Sequence, residues 1–128
     1  MFNDDSENFG TRTNTIPMVL DGLSVGTDGT KNFLVELIID SPDAEVTVGG
    51  TPSFADVETA SSVTEVDIAG TTVSGGTKIA AFSLSKVDGL VWQPTREIVI
   101  QPGEKLYVAT SSAANGDITV SLNWSERQ

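Results

Sequence analysis

The chain has 128 residues, 38% of them hydrophobic, enough for a single domain that buries a core of its own. It contains no cysteine and no histidine. This excludes disulfides, thiolate metal sites, thiol nucleophiles and every catalytic triad built on imidazole. Eighteen acids against seven bases give a net charge of −11, and residues 32–77 hold eight carboxylates and no base, so nucleic acid is not an expected partner.

Residues 1–14, MFNDDSENFGTRTN, are polar and acidic. Phe2 and Phe9 stand isolated there, too few apolar groups to bury one another. The segment reads as an acidic N-terminal arm, a flexible tail unless its two phenylalanines dock on a neighbouring surface. Residues 15–128 read as one domain. The opening residues lack the basic and apolar regions of a signal peptide, and no apolar run approaches the ~20 residues of a membrane span, so neither secretion nor a membrane is expected.

TIPMVLDGLSV is expected to open the fold as an edge strand, because Pro17 has no N–H to give to a ladder. In FLVELIID, Phe33, Val35, Leu37 and Ile39 share one face, and Leu34, Glu36, Ile38 and Asp40 share the other. Ala44, Val46 and Val48 repeat the alternation after Ser41-Pro42-Asp43, which predicts a hairpin. In PSFADVETASSVTEVDIAG, residues 54–62 suit a short helix or a loop and residues 63–68 an extended segment. Ala80, Phe82 and Leu84 mark another strand, after which Asp88-Gly89 turns the chain toward LVWQ.

EIVIQPGEKLYV reads as strand, corner, strand. Proline second and glycine third in Gln101-Pro102-Gly103-Glu104 suit a type II turn, which splays a tight hairpin; the chain should therefore swing between sheets or connect loosely here. Ile118, Val120, Leu122 and Trp124 alternate with Thr119, Ser121 and Asn123 in ITVSLNW. Asn115-Gly116 before it predicts a hairpin with the strand at residues 106–110. Short strands separated by Gly, Asn, Asp and Pro give the fold class: all-β, an antiparallel β-sandwich, jelly-roll-like, with a flexible N-terminal arm.

The isoleucine-rich strand, PGEKLYV and ITVSLNW together resemble the last strands of the small β-sandwich proteins of tailed-phage virions, the capsid decoration, fibre and adaptor proteins. They also resemble the last two strands of TNF-like and C1q-like jelly rolls, from which this chain departs in lacking their inward aromatics. FLVELIIDSPDAEVTV fits the virion type more loosely. The resemblance implies a non-catalytic virion structural protein that acts by contact: a decoration or cement subunit on the capsid surface, or, as the alternative, a carbohydrate- or receptor-binding module of a tail or fibre. It implies as partners other copies of the chain, often as a trimer, and the major capsid protein or other virion proteins. Leu34 and Ile38, more apolar surface than one sheet face needs, point the same way.

Without histidine, catalysis would rest on a carboxylate pair, and nothing in the sequence marks one. No catalytic residue, cofactor or metal ligand is assigned. Asp21, Asp28, Asp40 and Asp43 lie in or beside loops, but no stretch alternates ligands as a calcium loop does, and turn chemistry accounts for them. Trp124 shares the face of Leu122 and is expected in the core. Trp92, near a turn, and Tyr107, on the face opposite Leu106 and Val108, are candidates for an oligomer interface or a sugar platform, and Phe2 and Phe9 for docking.

Overall fold

The computed structural model describes residues 1–3, 8–9, 12–27, 32–50, 54–56, 64–66, 70–84, 89–110 and 118–127. In chain order the strands are β1 (Phe2–Asn3), β2 (Asn8–Phe9), β3 (Arg12–Thr13), β4 (Met18–Thr27), β5 (Phe33–Asp40), β6 (Val46–Gly50), β7 (Ala55–Asp56), β8 (Thr64–Val66), β9 (Gly70–Gly75), β10 (Thr77–Leu84), β11 (Gly89–Trp92), β12 (Ile98–Ile100), β13 (Lys105–Thr110) and β14 (Ile118–Glu126). Every pairing is antiparallel. One sheet has the order β10-β5-β13-β1-β8-β7. In the second, β4 is central: β14 runs along one side, and β11 and β12 lie end to end along the other. β6 with β9, and β2 with β3, form separate two-stranded ribbons.

Alternation decides which face each strand buries. On β5, Phe33, Val35 and Leu37 are at most 4% exposed, and they stand opposite Leu84, Phe82 and Ala80 of β10. Their common face meets Met18, Leu20, Leu23 and Val25 of β4 together with Ile100 and Leu106, and Ile118, Leu122 and Trp124 pack against this core. β4 keeps its apolar side inward only because of a bulge. Asn123 pairs with Gly22 and Trp124 with Leu20, so Asp21 is the extra residue and the inward set passes from Met18 and Leu20 to Leu23 and Val25. Without that slip one half of the strand would turn its leucines to water.

The two sheets pack face to face around one core. Trp92, which pairs with Leu23, meets Phe82 of β10 edge-on at 5.2 Å; Ile100, which pairs with Met18, accepts a hydrogen bond from Asn3 of β1. Both ends of β4 thus reach the first sheet through their neighbours, and the core lies between the two layers.

Several sequence expectations change at the level of pairing. β4 is paired on both sides, not an edge strand: Pro17 precedes the ladder, so its missing N–H costs nothing, and its carbonyl accepts from the Arg127 N–H at 3.0 Å. The Ser41-Pro42-Asp43-Ala44 turn forms, with paired bonds between Ser41 and Ala44, but it does not continue into a β5–β6 hairpin. β10 and β13 occupy both edges of β5, and β6 pairs with β9 instead. The predicted hairpin of β13 with β14 is likewise replaced, since β13 pairs with β5 and β1 and β14 with β4; Asn115-Gly116 lies outside the described residues. Ala55–Asp56 is extended and pairs with β8, so no helix begins there, and β8 falls within the segment read as extended.

Residues 1–3 belong to the sheet and do not trail from it. Met1 is 7% and Asn3 0% exposed, and Phe2 stands opposite Lys105 and Glu65. The Met1 amino nitrogen donates to the Leu106 carbonyl at 2.8 Å, and the Leu106 N–H donates back to the Met1 carbonyl at 2.7 Å. A methionine and a phenylalanine before one asparagine are too few for periodicity to register, yet they suffice to complete a strand on an existing edge.

Candidate functional site

The corner carries the chain from one sheet to the other, as its sequence predicts: β12 lies in the second sheet and β13 in the first. The Glu104 N–H donates to the Gln101 carbonyl at 2.9 Å, Gly103 sits at φ 87°, and the Glu104 carboxylate accepts from the Gln101 N–H at 3.0 Å. Proline at the second position and a positive φ at the third define the type II turn.

This corner is clamped by two asparagines that no sequence pattern singled out. The Gly103 N–H donates to the Asn3 carbonyl at 2.8 Å and the Asn3 N–H to the Glu104 carbonyl at 3.1 Å. The Asn3 side-chain amide donates to the carbonyls of Ile16 and Ile100, both at 2.9 Å, and its oxygen accepts from the Asn14 amide at 2.7 Å. Asn14, 5% exposed, accepts the Ile16 N–H at 2.7 Å. Every polar atom of the Asn3 side chain is thus satisfied in a dry site, the condition under which a buried polar group stabilises. The sequence signal would have been two asparagines close to short apolar pieces, in MFN and NTIP, and that pattern has no period.

The four residues proposed for contacts are not brought together. Phe2 meets Phe54 edge-on at 5.6 Å, and the Lys105 ammonium lies 5.0 Å from the first ring and 5.6 Å from the second. Phe2 therefore docks on its own chain, with a cation over its face. The backbone of Phe9 pairs with Arg12 in the β2–β3 ribbon. Trp92 is half-buried against the core beside Phe82. Tyr107 is half-buried opposite Ile38 on the outer face of the first sheet. Trp124 packs against the core as expected.

The apolar outer face that suggested a partner is partly covered from within. Ile38 is 6% exposed, and a Cβ added at Gly76 would lie 2.6 Å from its Cγ2, which places the turn between β9 and β10 directly over it. Ile38 therefore does not call for a second subunit. Among the described residues, the large apolar side chains left outside are Val91, 84% exposed, Val120, 39%, and Ile79, 37%.

Of the aspartates weighed for a cation, Asp40 accepts the Val46 N–H at 3.0 Å, which is turn chemistry. Asp43 is exposed in the neighbouring turn, Asp21 is exposed at the β4 bulge within 3.5 Å of the Ser125 hydroxyl, and Asp28 lies outside the described residues. Among the described residues no three His, Cys, Asp or Glu side chains converge. The acids whose burial is described are exposed or half-exposed, in turns, at strand ends and on the outer face of β5; Glu36 pairs with Lys78 at 2.7 Å, and Glu97 pairs with Arg127. No protein-family model, curated protein or solved structure matches the chain.

Proposed function

We propose that this chain is a non-catalytic structural protein of a tailed-phage virion, a decoration or cement subunit that binds the capsid surface and stabilises the shell together with other copies of itself. One observation carries the reading. The segment on which the resemblance rests, residues 97–124, contributes β12 to one sheet and β13 to the other across a hydrogen-bonded corner, and then β14 back to the first of these. That path suits a rigid packing unit whose last third holds both layers together. The interior polar groups support it as well, because Asn3 and Asn14 spend their hydrogen bonds on fixing the corner. A net charge of −11 keeps free subunits and finished particles apart, and apolar contact between subunits has to overcome that repulsion.

The test is position and copy number in purified virions. Gold-labelled copies studding the shell in the hundreds are expected. A handful confined to the tail would replace this reading with the receptor-binding one, and absence from the particle would end both.

A further inference from the structure

We infer that the free edge of β14 is a self-pairing surface: two copies of the chain join there through antiparallel β14 strands related by a two-fold axis at Leu122. This stands whether or not the protein belongs to a virion.

The sheet edges of the described residues are not alike. β10 carries a bulge at Ile79 and a lysine, Lys78, at its free edge. β11 and β12 are four and three residues long, with Pro94 in the connection between them. β7 has two residues. Short strands, bulges, lysines and prolines are the devices that keep an edge from accepting a foreign strand. β14 has none of them. It is nine residues long, contains neither lysine nor proline, and is regular throughout, because the extra residue of its ladder, Asp21, belongs to β4. Among the described residues Ile118–Ser125 pair with β4 alone, which leaves their second row of backbone N–H and C=O groups for another strand. Thr119, Val120, Ser121, Asn123 and Ser125 are exposed accordingly.

Charge and pattern select the occupant. Residues 118–125 carry no charge, in a chain whose net charge is −11. A basic partner strand would find no carboxylate to meet there, whereas two acidic copies approach with least repulsion along a neutral edge. Centred on Leu122, the strand is complementary to itself. Val120 of each copy falls opposite Trp124 of the other on the core-side face, which covers the exposed Val120; Ser121 falls opposite Asn123, and Thr119 opposite Ser125, on the outer face. The centre and the face agree, since residues of even number meet residues of even number. Two second sheets, each three strands wide, then fuse into one of six strands.

The chain has no cysteine, so introduced thiols report the register without background. In the proposed pair, an Ser121→Cys copy places its Cα opposite that of an Asn123→Cys copy, within the ~4.4–6.8 Å that a disulfide spans. Residue 121 of one copy and 121 of the other are diagonal neighbours at roughly 7–8 Å and do not bridge. Mild oxidation of the mixed variants should give a covalent dimer, and Ser121→Cys alone should stay uncross-linked. Light scattering of the unmodified chain at about 100 μM should give twice 13.4 kDa. Val120→Lys should halve that mass, and Val91→Lys, on the opposite face of another strand, should leave it unchanged. A monomer or a trimer by scattering, equal cross-linking by Ser121→Cys alone, or cross-linking that needs a shell protein would each overturn the inference. The cysteine variants sit at exposed positions, so they decide the matter even if Val120→Lys does not fold.

Discussion

Asn3→Ala measures whether the first residues belong to the fold. The substitution removes the donors to Ile16 and Ile100, at 2.9 Å each, and the acceptor of the Asn14 amide, at 2.7 Å, from a site with 0% exposure. Three hydrogen bonds at a net of about 1 kcal/mol each give a loss of about 3 kcal/mol. Orphaned carbonyls push the figure up, and a water entering the space left by the amide brings it down. Against a total stability of about 5–15 kcal/mol, this is a large fraction, and for a domain of this size it lowers Tm by about 10 °C. Urea unfolding followed by tryptophan fluorescence reads the change as a shift in midpoint at unchanged m. The double variant with Asn14→Ala should cost less than the sum of the single variants, because the two side chains share a bond. A free tail predicts no effect. A loss under about 1 kcal/mol, or strict additivity with Asn14→Ala, would refute the clamp.

Gly76→Ala should destabilise by about 2 kcal/mol or more in the same assay, because φ is +74° and the new Cβ meets Ile38, the Ile39 carbonyl and Val46. Leu37→Ala, at a side chain with 0% exposure in the middle of β5, should cost about 2–5 kcal/mol and leave a cavity between the sheets; a loss under about 1 kcal/mol would mean the core lies elsewhere. Lys78→Ala should cost under about 1 kcal/mol, since its side chain is 56% exposed, and the difference from the parent should shrink in high salt.

The strands were legible in the sequence because alternation is a property of one strand read alone. Phe33, Val35 and Leu37, Phe82 and Leu84, and Leu122 and Trp124 all pack on the core side that their spacing assigned. The corner was legible too, since Pro102 and Gly103 restrict backbone angles locally. Pairing was not. Partnership depends on which edges are still vacant and on matched length, so β6 was drawn to β9 and the nine residues of β14 to the ten of β4. The β4 bulge was invisible for the same reason: Asp21 breaks the alternation only in reference to a partner about 100 positions away. Trp124 was placed by its strand, while the contact candidates Phe2 and Trp92 were judged by neighbours in sequence and owe their positions to Lys105, Phe54 and Phe82 on other strands or loops.

The clamp also fixes a schedule. Asn3 emerges about a hundred residues before the groups of Ile100, Gly103 and Glu104 that bond it, and Met1 waits for Leu106. β8 offers the opening strand an edge once about half of the chain has emerged, but until about four fifths has emerged Asn3 lacks its partners at the corner and Met1 its cover. Loops of this length make closure slow, and the growing polypeptide stays exposed to proteases and to its neighbours for most of its synthesis.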